Sequence, residues 1–136
     1  MQPSQRTPRG IRNNNPLNIR IGNTWLGEVS DPTDSDFEQF VSVKYGLRAG
    51  FVILRRYIKR YHRDSITKIV RAWAPATEND TQSYIKYVSQ WSKIDPEETI
   101  SFDNVHQMCS LVQAMARMEV GLIIPLQEIE ESYKLA

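Results

Sequence analysis

The chain carries near its start the segment Arg9-Gly10-Ile11-Arg12-Asn13-Asn14-Asn15-Pro16-Leu17-Asn18-Ile19-Arg20. Three asparagines before a proline are incompatible with a helix interior, because their amides compete for the backbone and Pro16 pushes the preceding residue toward extended conformations. The segment therefore predicts a shaped polar loop. We expect the amides of Asn14, Asn15 and Asn18 to hydrogen-bond a sugar, although any one of them taken alone is more simply explained as a turn-forming residue.

Two short strands are predicted on either side of an acidic loop. Residues 18–21 alternate polar and apolar side chains, and a second alternating stretch covers residues 37–41, with Phe37 and Phe40 expected to point into the core. Trp25 lies between them in a polar setting that predicts exposure, and its amphipathic ring is suited to stacking on a sugar. Together these features predict a small β element of two or three strands near the N-terminus.

The rest of the chain predicts helices, because apolar residues recur at spacings of three and four. The first helix is expected over residues 42–61 after the N-cap Ser42. Further helices are expected after Ser65, after Asn79 or Asp80, from Asp103 to Gly121, and from Pro125 onward with Leu126, Ile129 and Tyr133 inward. Trp73 and Trp91 continue apolar stripes and are assigned to the core.

Two glycines in the first helix, Gly46 and Gly50, lie one turn apart. The absence of side chains there predicts that another element approaches the helix closely. Overall the sequence predicts an α+β fold that is mainly α. We expect a flexible arm over residues 1–8 and a single domain over residues 9–136, since 136 residues are enough for one core and too few for two.

Composition restricts the classes of function. Basic residues number 17 and acidic residues 16, so net charge gives no support for nucleic acid or an anionic membrane as partner. A locally basic face over residues 48–71, with Tyr57 and Tyr61, leaves a weaker nucleic-acid interpretation open. One cysteine and two histidines argue against a disulfide and against a metal site, and no residue pattern indicates a cofactor. The N-terminus has no apolar run, so we expect synthesis in the bacterial cytoplasm without a signal peptide and no transmembrane helix.

A carboxylate falls on the apolar face of the helix expected over residues 103–121. The stripe formed by Val105, Met108, Val112 and Met115 continues by its own spacing to Glu119. Burial would raise the pKa of this carboxyl group, and a protonated carboxylic acid is what general acid catalysis on a glycosidic oxygen requires. The alternative is that Glu119 turns out to solvent at the helix end.

A second carboxylate candidate is Glu28, at the edge of the predicted β element. Glycosidases commonly place two carboxylates on either side of the scissile bond. The neighbouring acids, including Glu38, crowd the same loop and are also explained as a solvated surface.

The chain resembles a family of small phage and prophage proteins described as virion structural proteins or lysozyme-like peptidoglycan-degrading proteins. The resemblance rests on the segment 9–20 and on motifs spread over nearly the whole chain, namely Trp25, Gly27, Phe37, Phe40, Tyr45-Gly46, Arg48-Ala49, Trp73-Ala74-Pro75, Glu78-Asn79-Asp80-Thr81 and Tyr84-Ile85. It implies a lysozyme-like helical domain acting on peptidoglycan, with Tyr45 and Asn79 added to the substrate-binding residues.

A looser similarity connects residues 14–40 with bacterial cell-wall glucosaminidases, in which an asparagine-rich turn follows the helix of the catalytic glutamate. Here no such helix precedes the turn. A Glu-Asn-Gly type motif at the end of the family's last helix matches Glu119, Val120 and Gly121. The similarity implies a circularly permuted lysozyme-like site with Glu119 as the acid, which acts as a glycosidase or a lytic transglycosylase.

Two departures from the family pattern support an alternative function. Leu17 stands where the family has glycine after the proline, and Val120 replaces the asparagine after the glutamate. A member with these changes could be a non-catalytic virion structural or cell-wall-binding module. In either case the expected partners are peptidoglycan glycan strands and other virion proteins, at the cell wall or in a virion after delivery.

Overall fold

The computed structural model describes residues 7–74 and 80–136 of the chain. Within these residues it contains six helices. They are α1 (Arg9–Arg12), α2 (Val43–Lys59), α3 (Ile66–Trp73), α4 (Thr81–Ser92), α5 (Val105–Val120) and α6 (Leu126–Lys134).

Helices α2 and α5 supply the centre of the core. Helix α6 packs against both of them, α4 packs against α5, and α3 packs against α4. The largest side chains that are fully enclosed come from these helices, from the N-terminal loop and from the segment between α4 and α5, namely Leu17, Phe40, Leu47, Phe51, Leu54, Ile66, Ile69, Ile100, Met108, Leu111, Met115 and Ile129. This arrangement confirms the mainly helical prediction, and it places the end of α5 beside the loop that follows α1.

The predicted helix starts and stops are largely confirmed, because their chemistry is local. Ser65 accepts a hydrogen bond from Lys68 N at 3.2 Å, and Asp80 accepts one from Ser83 N at 3.1 Å. Gly121 ends α5 with a φ of 77°, a conformation that glycine adopts without strain. Asn104, rather than Asp103, caps the start of α5. Ser42 makes no side-chain capping bond to α2.

Two side chains predicted to face inward are exposed. Val105 is 41% exposed and Leu126 is 42% exposed. Both lie in the first turn of their helices. The spacing of apolar residues shows which face of a helix is apolar, but it does not show where along the helix neighbouring elements stop covering that face.

The small β element is not confirmed. Residues 18–41 form two isolated antiparallel bridges, Arg20 with Phe37 and Glu28 with Phe40, and the described residues contain no strand. Phe40 is buried as predicted, but Phe37 is only partly so. The start of the segment also differs from the predicted loop, because residues 9–12 form the helical turn α1.

The close approach predicted at Gly46 and Gly50 is confirmed. A Cβ atom on Gly46 would collide with the backbone carbonyl of Asn14, and one on Gly50 would collide with the side chain of Leu17. The asparagine-rich loop therefore lies directly on the first half of α2. This contact fixes the loop in the core rather than leaving it as a surface excursion.

Candidate functional site

Side-chain amides of the asparagine-rich loop add to the backbone hydrogen bonds that join residues 19–21 to residues 36–38. Asn15 is fully buried, and its Nδ2 donates to the carbonyls of Ile19 at 2.9 Å and of Glu38 at 3.0 Å. Its Oδ1 accepts from Ile19 N at 2.9 Å, while Asn14 Nδ2 donates to the carbonyl of Phe40 at 2.9 Å. These amides hold the loop against residues 38–40, and both polar atoms of the Asn15 amide form hydrogen bonds within the fold.

Asn14 and Asn18 adopt the left-handed backbone conformation, with φ of 53° and 51°. Asparagine tolerates this region better than most residues because its short polar side chain bonds locally. At Asn18 the result is a side chain that points away from the loop toward the end of α5. A Cβ atom on Gly10 would lie 2.5 Å from Asn18 Oδ1 and 2.6 Å from Val120 Cγ1, so α1 packs tightly beneath this contact.

Glu119 receives two hydrogen bonds from distant parts of the chain. Asn18 Nδ2 donates to Glu119 Oε1 at 2.9 Å, and the hydroxyl of Tyr84 donates to Oε2 at 2.7 Å. Asn18 Nδ2 also lies 3.4 Å from the backbone carbonyl of Glu119. The two ends of the chain thus meet at one carboxyl group, which is partly exposed.

The surroundings of Glu119 favour its neutral form. Burial raises the pKa of Glu119 above its ordinary value, and the hydrogen bonds from Asn18 and Tyr84 act in the opposite direction. The carboxyl group also lies in the last turn of α5, where the negative end of the helix dipole disfavours a carboxylate. The same carboxyl group raises the pKa of Tyr84, after the larger effect of that residue's burial, so Tyr84 keeps its proton.

Two further carboxyl groups, those of Glu28 and Glu38, interact with each other. Glu28 Oε1 accepts from Trp25 N at 2.9 Å. Glu38 is 7% exposed, and its Oε2 has no partner among the described residues. Burial and then the charge of Glu28 raise the pKa of Glu38 to about 7. Glu38 and Phe40 are two residues apart, so in an extended segment they lie on the same face, and the burial predicted for Phe40 implies burial of Glu38. The many acidic residues of the loop instead favoured an exposed Glu38.

Trp25 is buried, which corrects the expectation that it is exposed. Its side chain is 7% exposed, its Nε1 has no partner in the described chain, and the guanidinium of Arg56 lies 5.9 Å from its ring centre. Tyr45 is partly buried and packs over Gly27. The ring of Trp25 is therefore enclosed, whereas Tyr45 keeps part of its surface exposed. Asn79 lies outside the described residues.

A groove opens beside the Glu119 contact. It has a volume of about 480 Å³ and is lined by Asn18, Ile19, Arg20, Asn23, Ile53, Arg56, Tyr57, Tyr61 and Trp73. Trp73, predicted to belong to the core, is only partly buried and forms part of this wall, with its ring edge-on to Tyr57 at 6.1 Å. Asn18 belongs both to the groove wall and to the hydrogen bonds of Glu119. Of the predicted site residues, Asn18 and Glu119 are therefore brought together, and Asn18 also lines the groove.

Tyr84 is the site residue that the sequence reasoning missed. It belongs to the predicted apolar stripe of α4, and its ring is almost wholly buried. A buried tyrosine hydroxyl usually finds a polar partner, which was the available signal.

The described residues give no support for a metal site or for a membrane-spanning helix. Across residues 7–74 and 80–136, no group of three or more histidine, cysteine, aspartate or glutamate side chains is placed to hold a metal ion. In the same residues, no helix has both the length and the apolar character that crossing a bilayer demands.

Comparison with known proteins identifies a relative of the chain in a phage. The chain is 40% identical over 117 residues to "Protein P5" of Pseudoalteromonas phage PM2, and the match covers 83% of the chain and 71% of that protein. No family model matches the chain.

Proposed function

Since the chain belongs to the family of Protein P5 of Pseudoalteromonas phage PM2, we propose that it is a phage-associated lysozyme-like domain that cleaves the glycan strands of peptidoglycan. The relationship to a phage protein supports a role in a phage or prophage and does not by itself distinguish an enzyme from a structural component. The observation that carries the enzymatic proposal is the Glu119 carboxyl group, which is held by Tyr84 and by Asn18, a residue that also lines a groove.

In this proposal Glu119 acts as the general acid. Burial raises the pKa of its carboxyl group and so favours the protonated form. In that form it donates its proton to the glycosidic oxygen as the bond to the anomeric carbon breaks. The carboxylate left on Glu119 is stabilised by the Asn18 amide and the Tyr84 hydroxyl, which are in place before the reaction. Water, or a hydroxyl group of the same sugar, then bonds to the anomeric carbon and returns a proton to Glu119.

The groove supplies the surface on which the glycan would lie. Its volume is within the range of roughly 300–1,000 Å³ that is usual for ligand sites. Tyr57, Tyr61 and Trp73 provide aromatic faces for sugars, while Asn18 and Asn23 provide amides. Glu28 is proposed as a supporting carboxylate that fixes the Trp25 backbone, because it accepts a hydrogen bond from that amide. Asn14 and Tyr45 do not line the groove, and they are proposed to hold the segments behind its wall in place.

The fold proposal accompanies the functional one. Residues 9–136 would form one lysozyme-like domain in circularly permuted order, with α5 in the place of the helix that carries the catalytic glutamate. The contact between residues 101 positions apart at Asn18 and Glu119 supports this arrangement.

The two departures from the family pattern have a packing explanation that leaves Glu119 unaffected. Leu17 is fully buried over Gly50, and Val120 is buried against Gly10. Each side chain fills space beside a glycine. Neither residue contributes a hydrogen bond to the Glu119 carboxyl group among the described contacts.

The test is dye release from purified, dye-labelled peptidoglycan by the wild type and by Glu119→Gln, with Glu130→Gln as a control because Glu130 is an exposed acid on α6. We expect activity in the wild type and in the control, and a loss of about 100- to 10,000-fold in Glu119→Gln, the usual contribution of a general acid. Equal activity in all three proteins, or none in the wild type, would overturn the enzymatic proposal.

The second candidate is a non-catalytic virion structural or wall-binding module. It is favoured by the use of the Asn14 and Asn15 amides within the fold, which leaves fewer donors for a substrate. A peptidoglycan pull-down that is positive while no sugar fragments are released would support it over the enzyme.

A further inference from the structure

The groove beside Asn18 is basic. Arg20 and Arg56 are both exposed in its wall, and none of its nine described lining residues is acidic. Neither arginine takes part in any of the ion pairs formed among the described residues. Two guanidinium groups without an acidic partner in one groove create a positive potential that attracts anionic ligand groups.

Both guanidinium groups are held over aromatic rings. The Arg20 guanidinium lies 4.9 Å from the ring centre of Phe37, and the Arg56 guanidinium lies 5.9 Å from that of Trp25. Stacking of this kind leaves the N–H groups at the rim of the guanidinium free to donate hydrogen bonds. The fork of donors on an arginine matches the two oxygens of a carboxylate.

More cationic groups extend the same surface. Arg63 lies 5.0 Å from the ring centre of Tyr57 and 5.1 Å from that of Tyr61, and Arg60 lies 5.7 Å from that of Tyr61. This positive charge would not strengthen the binding of a neutral polysaccharide. It would strengthen the binding of a polysaccharide whose sugars bear carboxylates.

We propose that this groove is a carboxylate subsite, in which Arg20 and Arg56 bind carboxylate groups attached to the glycan of peptidoglycan. This inference rests on the proposed function and adds a specificity to it, namely selection of a carboxylate-bearing glycan over a neutral one such as chitin. Two groups on peptidoglycan supply the same chemistry: the free lactyl carboxylate of an unsubstituted muramic acid, and the carboxylates of the stem peptide. The position of Asn18, shared between the groove and Glu119, supports binding of the same strand whose glycosidic bond is cut.

The experiment measures binding by Glu119→Gln, so that no ligand is consumed. Three soluble tetrasaccharides are titrated: a muropeptide tetrasaccharide with its stem peptides, the same glycan stripped to free lactyl carboxylates, and chitotetraose. We expect at least one carboxylate-bearing ligand to bind about tenfold or more tightly than chitotetraose, the effect of one good charge-assisted pair. The ligand that shows the preference identifies the source of the carboxylate.

Arginine variants connect the preference to the groove. Arg20→Gln and Arg56→Gln, made in the Glu119→Gln background, should reduce binding of the preferred ligand toward that of chitotetraose, while Arg56→Lys should retain part of the preference. Arg71→Gln is the matched control, since Arg71 is exposed on α3 and does not line the groove. All of these positions except the Glu119 background are exposed, so we expect melting temperatures that match within a few degrees.

The outcomes separate the subsite from catalysis. Equal affinity for all three ligands, or an unchanged preference in both glutamine variants, overturns the subsite, even when the wild type cleaves peptidoglycan. Preferential binding that depends on Arg20 and Arg56 upholds the subsite, even when the wild type cleaves nothing and the enzymatic proposal fails. Tighter, salt-sensitive binding of a single-stranded oligonucleotide than of any tetrasaccharide would also overturn it and assign the groove to nucleic acid.

Discussion

Asn18 Nδ2 donates a hydrogen bond to Glu119 Oε1 at 2.9 Å, joining residues that are 101 positions apart in the chain. This bond connects the asparagine-rich loop near the N-terminus to the last turn of α5. The Tyr84 hydroxyl completes the arrangement at the other carboxylate oxygen. Each part of the proposed mechanism depends on this geometry.

Asn18 both donates a hydrogen bond to Glu119 and adopts a left-handed backbone conformation, and two substitutions separate these contributions. Asn18→Ala loses the hydrogen bond to Glu119 and places a Cβ-bearing residue without a local hydrogen bond at a φ of 51°, whereas Asn18→Gly loses only the bond. We expect the alanine variant to lose about 2 kcal/mol of unfolding free energy and the glycine variant about half of that. Urea unfolding measures both. Equal stability of the two variants would show that backbone conformation at residue 18 is unimportant.

Tyr84→Phe removes one donor from Glu119 and keeps the ring. Because that donor stabilises the ionised carboxylate, its loss should raise the pKa of Glu119 further. If Glu119 is the general acid, the alkaline limb of the pH profile of kcat/KM moves to higher pH. Tyr87→Phe on the exposed part of the same helix is the control and should leave the limb in place. A shift to lower pH in Tyr84→Phe would contradict the assigned hydrogen bond.

The helices could be predicted from the sequence because their information is local. The capping by Ser65 and Asp80 and the stop at Gly121 each involve residues within one turn. The proposed strands failed for the opposite reason. The backbones of the two segments pair at isolated points, as where Ile21 N donates to the carbonyl of Asp36 and Glu38 N donates to that of Ile19. Elsewhere the amides of Asn14 and Asn15 take up the carbonyls of Phe40 and Glu38. The alternation of side chains does not show which of these partners a backbone group has.

The candidate site was predictable in part for similar reasons. The register of α5 identified Glu119, and the polar character of the loop identified Asn18. The hydrogen bond of Tyr84 and the exposed side of Trp73 were not predicted. The spacing of apolar residues in the sequence is the same whether an aromatic side chain is fully enclosed or has one edge at a cleft. The exposure expected for Trp25 was wrong, since its side chain is buried and the guanidinium of Arg56, from the distant helix α2, lies 5.9 Å from its ring centre.

The glycines of α2 provide a graded test of the packing of the loop. Gly46→Ala forces a side-chain carbon against the backbone of Asn14, whereas in Gly50→Ala the obstacle is the end of the Leu17 side chain. We expect Gly46→Ala to cost about 3 kcal/mol or more and Gly50→Ala less, since a side chain gives way more easily than backbone. Gly22→Ala has open space around it and should be nearly neutral. Thermal unfolding of the three variants gives the order, and an effect at Gly22 as large as at Gly46 would contradict it.

Glu38 should make stability depend on pH near neutrality. Its pKa is raised by burial and by Glu28 to about 7, so the folded state holds the proton more tightly than the unfolded chain. The stabilisation is present below the ordinary pKa of glutamate, near 4.5, and is lost as the pH rises through about 7.

The wild type should therefore lose on the order of 1–3 kcal/mol of unfolding free energy between pH 5 and pH 8 because of this group. Glu38→Gln should have a flatter profile, while Asp31→Asn, at an exposed acid of the same loop, should follow the wild type. Chemical denaturation across this pH range measures the slopes. Parallel slopes for wild type and Glu38→Gln would show that Glu38 is ionised throughout.

The most direct test of the central claim is mass spectrometry of the soluble fragments released from purified peptidoglycan by the wild type and by Glu119→Gln. We predict that the wild type releases glycan fragments broken at glycosidic bonds with their stem peptides intact, and that Glu119→Gln releases fewer than about one hundredth as many in the same time. Release of no such fragments by the wild type, or equal release by both proteins, would contradict the assignment of Glu119 as the acid that cleaves the glycan.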